Sequence, residues 1–191
     1  MPNQLPVPPK ALQQQSLDLQ TLIKAKIKQQ GFMSFAEFMH DSLYTPRLGY
    51  YSSGLKKFGT SGDFTTAPEI SPLFSACIAR RAHVTLQAMT ANNILEVGAG
   101  SGIMAAHILA YFEKHTHPLQ HYYILDVSAD LKQTQKETIQ RIAPNMLSKV
   151  IWLNDLPELY SGFIIANEFI DAMPVHLFSC LLYTSDAADD W

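Results

Sequence analysis

The chain has 191 residues, 47% of them hydrophobic and 16% charged, with a formal net charge of −3. That length suits one domain with a sizeable core. The apolar content is too high for a disordered chain, and no apolar run approaches the about 18–20 residues of a membrane-spanning helix.

No basic excess points to nucleic acid. Two cysteines, Cys77 and Cys180, make no disulfide framework and suit a reducing compartment. The start, MPNQLPVPPK, lacks the basic-then-apolar pattern of a signal peptide and the Arg-rich character of a transit peptide. Residues 1–15 therefore read as a loose, Pro-rich leader, and the cytoplasm is the default location. Residues 16–30 set Leu17, Leu19, Leu22, Ile23 and Ile27 on a helical period, with Gly31 able to cap the end. Residues 33–40 predict a second helix, with Ser34 and Glu37 as a capping box. Residues 43–68 form a long stretch rich in glycine and aromatics, too aromatic for disorder and long enough to be functional. Residues 70–89 predict a helix with Pro72 in its first turn, Cys77 as a core thiol on its apolar face, and Arg80-Arg81 on its solvated face. Residues 16–90 together read as a helical cap with a covering loop.

From Asn93 the pattern becomes strand, turn, helix. Strands are expected over 94–97, 122–127, 149–153 and 163–166, with helices over 103–112 and 129–142. That alternation predicts an α/β fold with a parallel sheet and right-handed crossovers over residues 91–179. The final residues, 180–190, read CLLYTSDAADD, which matches the translation of a common transposase sequencing adaptor. Residues 180–191 are therefore expected to be foreign and the natural protein longer. The stretch holds three acidic residues and no Lys or Arg, so the formal charge without it is zero.

The strongest chemical signal is the run Ile94-Leu95-Glu96-Val97-Gly98-Ala99-Gly100-Ser101-Gly102, a buried strand entering three alternate glycines before a helix. Glycines permit positive φ and close backbone approach, and a ligand sits where such a strand's carboxyl end meets the helix N-terminus. A dinucleotide fingerprint needs glycine at position 103, where this chain has Ile103. The spacing resembles the turn of class I S-adenosylmethionine (SAM) methyltransferases, in which the backbone packs on the methionine part of the cofactor. There an acidic residue like Glu96 lies near the amino end. Asp126 follows, 24 residues past Gly102, and suits a ribose diol; the alternative is a residue that merely precedes the N-cap Ser128. Asn154 and Asp155 stand where an adenine amino group would be met, or form a plain Asn-Asp turn. Asn167, Glu168 and Asp171 close the fourth strand and would face an acceptor beside the switch point, or make up a solvated turn. The histidines 115, 117 and 121 lie in a poor setting for a metal, which needs a structured second shell.

Four ordered segments carry a closer resemblance: LYTPRLGYY (43–51), GDFTTAPEIS (62–71), EVGAGSG (96–102) and NEFIDAMPV (167–175). Together they resemble the MidA-type methyltransferases, the family that includes a mitochondrial complex I assembly protein-arginine methyltransferase. The resemblance covers nearly all of residues 30–179. It implies a Rossmann-like class I methyltransferase sheet, SAM as cofactor, and a protein substrate, such as an arginine-bearing respiratory-complex subunit. It implies cofactor contacts at Glu96, Gly98, Gly100, Gly102, Asp126, Asn154, Asp155 and Asp63, with Glu168, Asp171 and Asn167 on the acceptor side. Asp63 and Glu69 would close over the cofactor, and Tyr50, Tyr51 and Phe64 would form a lid or an aromatic wall, or else pack as a satellite core of the loop. It implies a mitochondrial location if the source is eukaryotic. Many members carry Glu where this chain has Asp126, and members continue well past this chain's end. The rival readings are a nucleotide-dependent oxidoreductase and a non-catalytic scaffold.

Overall fold

The computed structural model describes residues 7–52, 65–115 and 118–177. The chain divides into two compact units, Met1–Tyr50 with Met173–Trp191, and Tyr51–Ala172.

In the first unit, α1 runs Lys10–Gln30 and α2 runs Phe35–Tyr44. α1 begins well before Ser16, inside the stretch read as a loose leader. Lys10 to Gln15 are good helix formers, and the helix extends back until Pro9, in an extended conformation, stops it. Gly31 closes α1 at φ 86°, its N–H reaching the Ile27 carbonyl at 2.7 Å, as the C-cap expectation required. The capping box of α2 is present: Glu37 N–H donates to Ser34 Oγ at 3.2 Å, and Ser34 N–H donates to Glu37 Oε2 at 2.8 Å. The buried Asp41 carboxylate ties the two helices by accepting from Lys26 Nζ at 2.7 Å.

In the second unit, the expected helix over 70–89 is two helices, α3 (Ala67–Ile70) and α4 (Pro72–Gln87). The break sits at Ser71, held extended at φ −151°, ψ 134°, because the following proline excludes the helical region for its neighbour. Ser71 Oγ then accepts from Leu73 N–H at 3.2 Å and starts α4. The remaining elements are β1 (Asn93–Val97), α5 (Ile103–Lys114), β2 (His121–Leu125), α6 (Ala129–Ile142), a 3-10 turn (Pro144–Lys149), β3 (Val150–Leu153) and β4 (Phe163–Ile165).

The four strands form one parallel sheet in the order β3-β2-β1-β4. Leu95 of β1 pairs with Tyr123 on one side and Ile164 on the other. The chain winds outward from β1 to β3, then returns to the opposite side of β1 for β4. The switch point of the sheet therefore lies between β1 and β4, where α/β folds bind ligands at the carboxyl ends of their strands. The core packs Ile94, Tyr122 and Ile124 against Ala79, Ala82 and Leu86 of α4 and Ala105, Ile108, Leu109 and Phe112 of α5. The alanines let α4 and α5 approach closely, and truncating a fully buried ring such as Phe112 to alanine costs about 3–5 kcal/mol. Cys77 is exposed, correcting its expected place in the core: the buried positions of α4 are Ser75, Ala79, Ala82 and Leu86, and Cys77 falls off that stripe. Arg80 and Arg81 are exposed as expected.

Candidate functional site

The turn after β1 has all three glycines at positive φ: Gly98 at 71°, Gly100 at 55° and Gly102 at 79°. Gly98 N–H extends the sheet by donating to the Leu125 carbonyl at 2.9 Å, and Gly102 N–H closes the turn onto the Ala99 carbonyl at 2.8 Å. A Cβ on Gly98 would stand 2.9 Å from the Phe169 ring, and one on Gly102 would stand 2.8 Å from Gln135 Cα. The outer glycines thus admit protein neighbours: one from the segment after β4, one from α6. Ser101 Oγ accepts from Ile103 N–H at 3.3 Å and donates to the Glu69 carboxylate of α3, which fastens the APEIS segment to the glycine turn.

Beneath the turn, Glu96 is 1% exposed and accepts from Tyr122 Oη at 2.6 Å. Burial pushes its carboxyl up to about 7, against the Tyr122 hydrogen bond and with the help of the Asp126 charge. Asp126 lies just past β2, which ends at Leu125 rather than at 127. Its side chain is buried, with Oδ1 accepting from Ser128 N–H at 3.0 Å and Oδ2 from Gln135 Nε2 at 2.8 Å. Burial raises its carboxyl above the usual range, while the Ser128 and Gln135 bonds and the Lys132 charge pull it back. Ser128 also caps α6, its hydroxyl accepting from Leu131 N–H at 3.3 Å. With the Val127 N–H as a third donor, the four lone pairs of the Asp126 carboxylate are not all used, which leaves capacity for a further donor.

Past β3, Asn154 and Asp155 are exposed, and Asn154 Oδ1 accepts from Lys132 Nζ at 2.9 Å. Past β4, Asn167 is half-buried, while Glu168 and Asp171 are exposed. Glu168 sits in the left-handed region at φ 48°, an uncommon place for a glutamate. Phe169 anchors this segment on Gly98, and a single 3-10 turn, Ile170–Ala172, follows. Tyr51 is half-buried; burial and the nearby Asp171 charge both raise its hydroxyl above the ordinary value. Asp63 and Phe64 lie outside the described residues.

The structure therefore brings the glycine turn, Glu96, Asp126 and the Phe169 segment to one end of one sheet. Gln135, Tyr122 and Ser101 also belong to that end and were not singled out from the sequence. Gln135 had a readable signal: it lies four residues before Ile139, on the stripe α6 buries, where an apolar residue is expected. Among the described residues no cluster of His, Cys, Asp or Glu could hold a metal ion. Two buried carboxyls, Glu96 and Asp126, lie at the ends of neighbouring strands, and a positive-φ glycine turn follows the first of those strands. These carboxyl acceptors suit the O–H donors of an uncharged diol and the N–H donors of a cationic amino group.

Residues 77–187 match the model of a family described as "Putative S-adenosyl-L-methionine-dependent methyltransferase". Over 182 residues the chain is 30% identical to "Protein arginine methyltransferase NDUFAF7, mitochondrial" of Danio rerio, covering 82% of this chain and 42% of that protein. The Homo sapiens protein of the same name is 31% identical over 179 residues, covering 80% and 40%. A Burkholderia thailandensis crystal structure with S-adenosyl-homocysteine bound superposes with a TM-score of 0.84 at 39% identity, covering 90% of this chain and 46% of that one. The chain spans less than half the length of these relatives. By the match over its sheet and strand-end segments, the chain belongs to this family of S-adenosyl-L-methionine-dependent methyltransferases.

Proposed function

We propose that the chain forms the SAM-binding part of a methyltransferase that acts on a protein arginine. The observation that carries this reading is the glycine turn, with three positive-φ glycines at the carboxyl end of β1 beside the switch point, in a chain of this family. In the reading, Gly98, Gly100 and Gly102 lie along the methionine part of the cofactor and Glu96 lies toward its amino end. Asp126 accepts from the ribose diol, and Asn154 and Asp155 lie toward the adenine. Asp63 is assigned to the same side by its motif alone.

The cofactor would supply a methyl group made electrophilic by its sulfonium; the protein supplies position and field. An arginine acceptor is a planar cation that stays charged at physiological pH. In this scheme Glu168 holds it through paired charge-assisted bonds, concentrating positive charge on the bound nitrogens and leaving one nitrogen free to be methylated. Asp171 and Asn167 flank it and fix its plane. The strained Glu168 backbone supports this, since strain of this kind clusters at functional sites.

The arginine substrate is supported by the names of the NDUFAF7 relatives, which are also called mitochondrial. A respiratory-complex subunit as substrate rests on the motif resemblance. The location proposed is the cytoplasm, or the mitochondrion in a eukaryote; among the described residues no helix is long and apolar enough to cross a membrane. Equilibrium dialysis of the full chain with labelled SAM and with NAD tests the reading. SAM binding without NAD binding is expected; NAD binding without SAM would overturn it in favour of an oxidoreductase.

A further inference from the structure

Gln135 is the one amide on the face of α6 that is buried completely. Its Nε2 donates to Asp126 Oδ2 at 2.8 Å and to the Gly100 carbonyl at 3.2 Å, while its Oε1 accepts from Trp152 Nε1 at 2.9 Å. Both amide protons and the oxygen are therefore engaged. The Gln135 backbone also fills the place where a Gly102 side chain would stand. One residue thus meets the turn after β1, the residue past β2 and a side chain of β3. On the cofactor reading above, the first two places meet the methionine part and the ribose, and the third belongs to the strand that leads to Asn154 and Asp155 on the adenine side.

We propose that Gln135 is a positioning residue for the cofactor: it aims the Asp126 carboxylate and locks it to the Gly100 carbonyl and Trp152. The inference rests on the SAM reading and deepens it. A leucine or methionine would fill the same space without needing three partners. A buried amide is stable here because a carboxylate, a carbonyl and an indole N–H each need one. The other groups facing Asp126 are Glu96 from β1, which repels it, Lys132 from α6, which attracts it, and the backbone N–H groups of Val127 and Ser128. Among these, Gln135 is the neutral side chain that donates directly to Oδ2.

Two near-isosteric variants separate this role from simple packing. Gln135→Met removes the donor. Asp126 then takes up a proton more readily, so binding should weaken further as pH falls. Gln135→Glu keeps a donor only while its own carboxyl is protonated, so its binding should weaken as pH rises and the two carboxylates repel. The experiment is calorimetric titration of S-adenosyl-homocysteine into the full chain at pH 6 and pH 8, for the parent and both variants, with thermal unfolding in parallel. Each variant's affinity is read relative to the parent at the same pH, so that titration of Glu96 is shared. We expect a loss of about tenfold or more, the scale of a hydrogen bond to a charged group, larger at pH 6 for Gln135→Met and larger at pH 8 for Gln135→Glu. Equal losses at both pH values, or affinities matching the parent, would overturn the inference and leave Gln135 as a packing residue. If one variant does not fold, the pH trend of the other decides on its own. A parent that does not bind S-adenosyl-homocysteine would overturn the cofactor reading itself, a result distinct from either variant outcome.

Discussion

The rim that follows β1 and β2 and the segment that follows β4 end the same sheet, yet they are built in opposite ways. The first is buried: Glu96, Asp126 and Gln135 are shielded from solvent, each with named partners, and the outer glycines Gly98 and Gly102 abut Phe169 and Gln135. The second is open. Glu168 and Asp171 are exposed, and the segment is pinned to the rim through Phe169. A site that must hold one invariant small molecule can be rigid and prearranged. A site that must receive a protein side chain has to be reachable from solvent. The difference predicts that substitutions in the rim act on folding and binding together, and that substitutions past β4 act on transfer with little effect on either.

The largest effect should come from Gly102→Val. The position needs φ 79°, and the new side chain would meet the α6 backbone at 2.8 Å. Left-handed strain and overpacking together should lower stability by roughly 3 kcal/mol or more, read by denaturant unfolding. Near-parental stability would mean the rim is looser than it looks, and would break the contrast at its strongest point.

Glu96→Gln comes next. The folded protein holds the Glu96 proton up to about pH 7, whereas the unfolded chain releases it near 4.5. Between those values the folded state binds more protons, so rising pH favours unfolding. This contribution is fully present below about pH 4.5 and is lost as pH rises through 7, amounting to about 3 kcal/mol. The variant has no such proton. Its stability relative to the parent should therefore rise from pH 5 to pH 8 in paired unfolding titrations, and a constant difference would remove Glu96 from the buried network.

On the proposed reading, Glu168→Gln tests the open side in a methyl-transfer assay. Methyl transfer to an arginine peptide should fall by roughly two orders of magnitude, the scale of a preorganised electrostatic contact, with S-adenosyl-homocysteine affinity unchanged. A parallel loss of affinity would move Glu168 onto the cofactor and merge the two regions. The smallest effect on stability is expected from Glu168→Gly. Relief of the positive φ should raise stability by about 0.5–1 kcal/mol, net of the entropy that glycine adds to the unfolded chain, while transfer is lost. Destabilisation would show that the glutamate side chain is held by the fold rather than held in readiness for an acceptor.

The four strands, their parallel order and the glycine turn were legible because each rests on local rules. Apolar runs such as Ile94 to Val97 predict buried strands, alternate glycines predict a turn with positive φ, and Ser34 with Glu37 predicts a helix start. The Ser71 break was legible too, had the extended preference of a residue before proline outweighed the helical period around it. Which polar groups of the site are buried, and against what, was decided only by tertiary structure. The sequence places Glu96 before a glycine turn and Asp126 after a strand, but Tyr122 lies 26 residues from Glu96 and Gln135 lies nine from Asp126. Their pairing follows from register, which sets Ile94 against Tyr122 across the sheet, and from the docking of α6 onto Gly102. Local propensity reaches a few residues along the chain, so it fixes where strands and turns form. The partner of a buried carboxylate is chosen by the need to satisfy it once water is gone, and that need is met by whatever side chain the packed fold brings within reach.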